Sequence, residues 1–317
     1  MPRRDCLLVL NYHRIGDPAN SVGDPRVFSA SAEEFRRQVA FLREHYRPIG
    51  LEEAVRFVEG HRDGNAGGAR VLLTFDDGYL DNYRIAYPIL KAHGVPATFF
   101  IATTFVGSSE LPWWDGFAYV LRNTTKRALT LTYPESRTIE LAAGIDAAFN
   151  ELVDIYRSPS LQDPRRFYDA VCEAAEVDPR QSTARLFLNW NEAREMLAGG
   201  MDFGSHTTTH PIIGWLPPER QFAEVADSKT VIEGELGNTV TTLAYPTGTV
   251  GTFTDHTFAA LRRAGYRAAF SFYGGVNLPR RINPYDVRRM RLVHYELTNP
   301  LWRLRLASSA VLGRSLM

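Results

Sequence analysis

The chain has 317 residues, 44% of them hydrophobic and 23% charged, which is the balance of a globular protein with material for a large core. Lys and Arg number 36 against 36 Asp and Glu, and a formal net charge of zero removes the simplest argument for a nucleic-acid partner. Two cysteines, Cys6 and Cys172, exclude a disulfide framework and a Cys-rich zinc cluster.

Arg3-Arg4 followed by an apolar run imitates the start of an export signal. The run stops at Asn11 after five residues, and no small-residue cleavage site follows. The expectation is a buried first strand over 6–12 in a cytoplasmic protein. A helix opens at Ser31, where Glu34 stands at capping-box spacing and Phe35, Val39 and Leu42 share one face. A second short helix is expected over 51–59, then an exposed glycine-rich loop over 60–68. A strand over 70–75 ends at Asp76-Asp77-Gly78, and a helix over 81–93 ends at Gly94. Further strands are expected over 97–102, 202–205, 241–245 and 267–272, with helices over 219–236 and 255–264. Short apolar runs alternating with amphipathic stretches predict an α/β protein with a mostly parallel sheet.

Residues 107–183 break this rhythm, with Trp113-Trp114-Asp115, a hairpin around Tyr133-Pro134 and helical stretches over 142–156 and 164–176. They read as a mainly helical insertion at about 107–183 in a single catalytic domain spanning 1–317, the alternative being a small separate helical domain.

Polar clusters fall where predicted strands end, the edge at which parallel α/β folds build their sites. Asp76-Asp77 follows one strand, His206 with His210 another, Tyr245-Pro246-Thr247-Gly248 a third, and His13 the first. Alone, Asp-Asp-Gly is a reasonable turn and two spaced histidines are ordinary polar residues. Together they fit metal-assisted hydrolysis. Two imidazoles four residues apart reach one ion if the segment makes a helical turn, and one carboxylate of the pair completes a His₂Asp set with open positions. The other carboxylate is then placed to take a proton from an attacking water.

Thr74-Phe75-Asp76-Asp77-Gly78 and Ser205-His206-Thr207-Thr208-Thr209-His210 resemble the first two motifs of the NodB-homology polysaccharide deacetylases. Ala244-Tyr245-Pro246-Thr247-Gly248 resembles a variant of the third, with alanine where the family often carries arginine and Thr247 where it often carries an aromatic. The resemblance runs from about Leu7 to Leu292 outside the insertion. It implies a distorted (β/α)-barrel of about seven parallel strands and hydrolysis of carbon–nitrogen bonds other than peptide bonds, removing acetyl groups from sugars. By the same resemblance Asp76 is the general base. Asp77, His206 and His210 hold one divalent ion, zinc first among several first-row metals. The Thr247 backbone N–H, with Tyr245 beside it, lines the oxyanion and substrate position. Arg289 resembles the position that orients the base; its other reading is a solvated charge in a basic run.

Two histidines compete for general acid. Leu292-Val293-His294 fits the family's closing pattern, whereas Tyr12-His13-Arg14 ends a strand as in the subgroup resembling poly-N-acetylglucosamine deacetylases. His13 is preferred, because its strand end faces the edge the other clusters share. Trp113-Trp114 offers a sugar-stacking platform, although core packing is the commoner fate of tryptophan. The segment from Leu301 interleaves arginines with apolar residues, which suits either a final helix on the barrel or peripheral membrane contact. The expected partner is an acetylated sugar, oligosaccharide or glycolipid, an intermediate of polysaccharide or glycolipid synthesis. Two rivals stay open: a ring-opening amidohydrolase on the same fold, which would release no acetate, and a non-catalytic glycan-binding protein, which would bind without a metal.

Overall fold

Strands buried on both faces read as unbroken apolar runs, and here such runs build one parallel sheet. The computed structural model describes residues 5–61, 69–182, 184–279 and 282–291. Most of the predicted 60–68 loop, and all of the segment from Leu301, lie outside the described residues. The strands are β1 (Cys6–Tyr12), β2 (Arg47–Pro48), β3 (Ala69–Asp77), β4 (Ala97–Ile101), β5 (Asp202–Ser205), β6 (Thr242–Ala244), β7 (Ala268–Phe270) and β8 (Met290–Arg291). Their order is β7-β6-β5-β4-β3-β1-β8, with β2 beside β3, and every pairing is parallel. Val287 bridges to Phe270 of β7, while Met290 and Arg291 pair with Leu10 and Asn11 of β1. The 287–291 segment therefore joins the two ends of the sheet and closes the distorted barrel.

Strand alternation sorts the core into two clusters. Leu7 and Val9 join Leu72, Phe100, Ala244, Ala268, Phe270 and Val287 in an inner cluster. Leu8, Leu10 and Tyr12 join Val71, Leu73, Phe75 and Phe99 in an outer one. That outer cluster is covered by helices, among them α1 (Ala32–His45), α3 (Tyr87–His93) and α5 (Pro218–Leu236). By the same alternation Asn11 continues the inner face of β1, and Thr74 and Asp76 that of β3. The carboxyl end of the barrel interior is thus polar.

The predicted helix starts and stops are present. Ser31 and Glu34 form a reciprocal capping box on α1. Gly94 and Gly237 cap α3 and α5 in the left-handed conformation, at φ 61° and 64°. The predicted 51–59 helix is α2 (Leu51–Val58), α4 is Trp190–Ala198, and the predicted 255–264 helix is α6 (Asp255–Arg263). The 81–93 stretch departs from a uniform helix: residues Asn82–Ala86 are π-wound before α3 begins. No helix among the described residues is long and apolar enough to cross a membrane.

The chain divides into two compact units. The first holds the described residues of 1–17, 28–107 and 187–317, hence the whole barrel, and the second holds 18–27 with 108–186. The second unit contains the predicted hairpin (Ala128–Leu131 with Arg137–Glu140) and the two predicted helices (Ile145–Tyr156 and Pro164–Ala175). It also has a helix over Trp113–Asn123 that the sequence reading did not assign. Residues 18–27 belong to it because Asp115, fully buried, accepts the Asp24 N–H at 2.6 Å, and Arg122 donates to the Ser21 carbonyl at 2.9 Å. The tryptophan pair is not an open platform. Trp113 stacks on Tyr156 at 4.2 Å and Trp114 is buried, so both pack within this unit.

Gly204, inside β5, lies where the barrel wall is closely packed. A Cβ there would stand 2.5 Å from two ring carbons of the buried Phe100 and 3.0 Å from Thr242 Oγ1. Gly204→Ala is expected to destabilise the protein by about 1–3 kcal/mol through overpacking. Urea unfolding would show it as a lower midpoint at unchanged slope; an unaltered midpoint would mean that the wall yields.

Candidate active site

Asp76 sits at the carboxyl end of β3, buried, and its two oxygens are separately engaged. Arg289 Nη1 donates to Oδ1 at 2.7 Å and Asn11 Nδ2 to Oδ2 at 3.0 Å. Arg289 is itself fully buried, with Nε donating to the Ser271 carbonyl at 3.0 Å and Nη1 3.2 Å from Asn11 Oδ1. Of its two sequence readings, the solvated charge is therefore excluded. Burial by itself would raise the Asp76 pKa. The Arg289 charge and hydrogen bond outweigh it and hold the carboxyl below the usual range.

Asp77 adopts φ 72°, so its side chain departs from the direction the strand would give it. Its Oδ1 lies 3.4 Å from His206 Nε2 and 3.3 Å from His210 Nε2. Among the described residues that buried oxygen accepts no hydrogen bond. His206 is turned by its other nitrogen, Nδ1, which is 2.7 Å from the Ala244 carbonyl. That contact makes Nδ1 the protonated nitrogen and leaves the Nε2 lone pair facing Asp77. The two histidines do not meet through a helical turn, as their spacing suggested. The 206–210 segment is irregular, with left-handed Thr207 (φ 68°) and His210 (φ 60°), and these bends bring the imidazoles together.

This donor set fits a divalent cation. Ligand atoms bound tetrahedrally to zinc stand roughly 3.3 Å apart, the separation seen between Asp77 and each imidazole. One ligand atom from each of the three residues lies within 4.8 Å of the others. Among the described residues the two buried carboxylates meet one guanidinium, that of Arg289, so with both imidazoles neutral a negative charge is left for a cation to balance.

His13 follows β1, partly buried. Its backbone is fastened on both sides: its N–H donates to Ser29 Oγ at 3.0 Å, and Asn82 Nδ2 donates to its carbonyl at 2.7 Å. Asp81 accepts the next turn of chain, from Arg14 Nε at 2.7 Å and the Ile15 N–H at 3.0 Å. Asn82 opens the π-wound turn and Asp81 directly precedes it, shortly after Asp76-Asp77-Gly78, and such turns are a common place for functional distortion. The imidazole makes no hydrogen bond among the described residues. Burial lowers its pKa despite the nearby Asp77 and Asp76, so it rests neutral around pH 7.

Thr247 is left-handed (φ 63°), and its N–H donates to no group among the described residues. Gly248 follows at φ 61°, where a Cβ would stand 3.0 Å from Phe272 N and Tyr245 O, so the turn requires glycine. Tyr245 does not line the substrate position. Its N–H donates to the Phe270 carbonyl at 3.0 Å, its O–H to the Tyr285 carbonyl at 2.8 Å, and its ring stacks on Phe253. Both donors are spent inside the barrel wall. His294 lies outside the described residues. Asn11, Asp81, Asn82 and Glu224 were not singled out in the sequence. A polar residue closing an apolar run, as Asn11 does, was the available signal for the first.

A parallel barrel carrying a His₂Asp cluster and a second, Arg-paired carboxylate at its carboxyl edge defines a class of metal-dependent hydrolase scaffolds. Residues 63–269, more than half of the chain, match the family described as polysaccharide deacetylase. YxkH of Bacillus subtilis (strain 168), itself assigned to the polysaccharide deacetylases, is 23% identical over 262 residues, covering 82% of this chain and 62% of that protein. The poly-β-1,6-N-acetyl-D-glucosamine N-deacetylase of Staphylococcus epidermidis is 31% identical over 117 residues, 34% of this chain and 39% of the relative. The chain thus spans less than two-thirds of the length of either relative. The structure of IcaB from Ammonifex degensii superposes with a TM-score of 0.61 at 23% identity, covering 97% of this chain and 98% of that one, a likeness of fold. The chain belongs to the polysaccharide deacetylase family.

Arg289→Met would leave Asp76 buried beside no cation and is expected to cost about 3–5 kcal/mol of stability. Adding Asp76→Asn should restore a large part of that loss. A urea-unfolding double-mutant cycle measures the coupling; additive effects would contradict the pairing.

Proposed function

We propose that this protein is a metal-dependent deacetylase that hydrolyses the acetamide of an N-acetylated sugar to an amine and acetate. The observation that carries the reading is the division of two adjacent carboxylates: Asp76 on Arg289 and Asn11, Asp77 on two imidazoles. Asp77, His206 and His210 would hold the ion, and zinc suits a tetrahedral His₂Asp set with an open position. When bound, a divalent ion supplies Lewis-acid polarisation and lowers the pKa of water.

The remaining work falls to the chain's own groups. Asp76, kept ionised by Arg289, accepts the proton of the attacking water. The Thr247 N–H donates to the oxygen that gains charge as the carbonyl becomes tetrahedral. The C–N bond then breaks as the departing nitrogen takes up a proton through the His13 imidazole, which is resupplied with the proton that Asp76 took from water, so that Asp76 is again ionised, His13 again neutral, and amine and acetate leave. His13 is preferred as acid because its imidazole is uncommitted and its backbone is pinned at the edge where Asp76 and Asp77 stand. The activity for which the staphylococcal relative is named favours an N-acetylhexosamine, on a polymer or a lipid carrier, as the substrate class.

The test is acetate release from chitin oligomers, poly-N-acetylglucosamine oligomers, a lipid-linked N-acetylhexosamine, acetylated xylan and allantoin. Release should require a divalent metal and fall by about 10²–10⁴ in Asp76→Asn and in His13→Ala. Opening of allantoin without acetate release would move the protein to ring-opening chemistry. Metal-independent glycan binding with no product would make it a binding protein.

A further inference from the structure

The loop that carries both histidines is held by one side chain from α5. Gln221, Glu224, Val225, Ser228 and Ile232 form the buried face of that helix, an apolar stripe interrupted by polar residues. Glu224 is 5% exposed, and among the described residues no lysine or arginine pairs with it. A buried carboxylate without a cation is costly unless hydrogen bonds compensate it. Here they do. Glu224 Oε2 accepts the N–H groups of both Thr208 and Thr209 at 2.9 Å, and Oε1 accepts the Thr209 hydroxyl at 2.7 Å. The Glu224 backbone carbonyl accepts the Thr208 hydroxyl at 3.1 Å.

These bonds fall on the two residues between Thr207 and His210, both left-handed. Non-glycine residues persist in that region only where the surroundings over-determine them. Other bonds hold the same loop, with Thr207 N–H on Ser205 Oγ, His210 N–H on Thr207 Oγ1, Thr103 N–H on the Thr207 carbonyl and Thr104 on the Thr208 carbonyl, but the Glu224 carboxylate is what receives the Thr208 and Thr209 N–H groups. His206 is oriented independently, through the Ala244 carbonyl. Removing the Glu224 carboxylate would orphan two backbone N–H groups and free the bend that aims His210 at Asp77.

We propose that Glu224 is a positioning residue for the metal centre, setting the conformation of the 207–210 loop and with it the reach of His210. This rests on reading Asp77, His206 and His210 as the ligands, and it is independent of what the substrate is. Zinc affinity is measured by competition with a chromophoric chelator, with no substrate present, on wild type, Glu224→Ala, Glu224→Gln and Thr209→Val. Glu224→Ala should bind zinc about 10–100-fold more weakly, the usual consequence of losing a residue that orients a ligand. Glu224→Gln, which keeps one carbonyl oxygen, should fall between wild type and alanine. Thr209→Val, which removes only the hydroxyl contact, should lose about two- to tenfold. The visible spectrum of the cobalt(II)-loaded alanine variant should change as His210 shifts. Affinities within twofold of wild type in both Glu224→Ala and Thr209→Val, with an unchanged cobalt spectrum, would overturn the proposal. If Glu224→Ala does not fold, Thr209→Val decides by the same criterion. A protein that binds zinc tightly but releases no acetate would count against the deacetylase reading and leave this one standing.

Discussion

Asp77 leaves β3 with a left-handed backbone, at φ 72°, and the site depends on that one turn. In a regular strand, Asp76 and Asp77 would point to opposite faces of the sheet, one into the barrel and one toward the helices. The bend keeps Asp76 on the inner face with Arg289 while bringing Asp77 to the two histidines, so consecutive carboxylates serve one site in two roles. A left-handed aspartate is less strained than most side chains would be there, which suits this residue type to the position. Thr207 and His210 after β5, and Thr247 after β6, repeat the device. Strain of this kind is maintained by the hydrogen bonds around it.

The polar end of the barrel has a matching electrostatic logic. Asn11, Thr74 and Asp76 continue inner faces that are apolar lower down, and Arg289 reaches them from the segment that closes the barrel. Closure and site assembly are therefore linked: the 287–291 chain joins β7 to β1 and delivers the guanidinium in the same step. The buried charge left over on Asp77 is what makes a cation favourable beside it.

Much of this was legible in the sequence where the information is local. Double-faced burial shows as apolar runs at 6–12 and 70–75, helix starts as Ser31 with Glu34, and helix ends as Gly94 and Gly237. The candidate site residues were legible as strand-end clusters. The pair His206 and His210 was identified on an expectation of helical geometry that the chain does not use. What could not be read depends on distant partners. Arg289 pairs with a residue 213 positions away, and apart from the family resemblance nothing near it in the chain distinguishes it from a solvated arginine. Glu224 looks like any exposed glutamate of an amphipathic helix until the 207–210 loop lies against it. Tyr245 follows a strand as a site residue would, yet its hydroxyl is claimed by Tyr285 across the wall.

The most direct measurement is the metal content of the purified, zinc-equilibrated protein, compared with Asp77→Ala and with Asp76→Asn. One zinc ion per chain is expected in wild type and in Asp76→Asn, and close to none in Asp77→Ala, because among the described residues Asp77 is the carboxylate that joins both imidazoles in the donor set. Retention of a full ion in Asp77→Ala, or its loss only in Asp76→Asn, would contradict the division of labour between the two carboxylates.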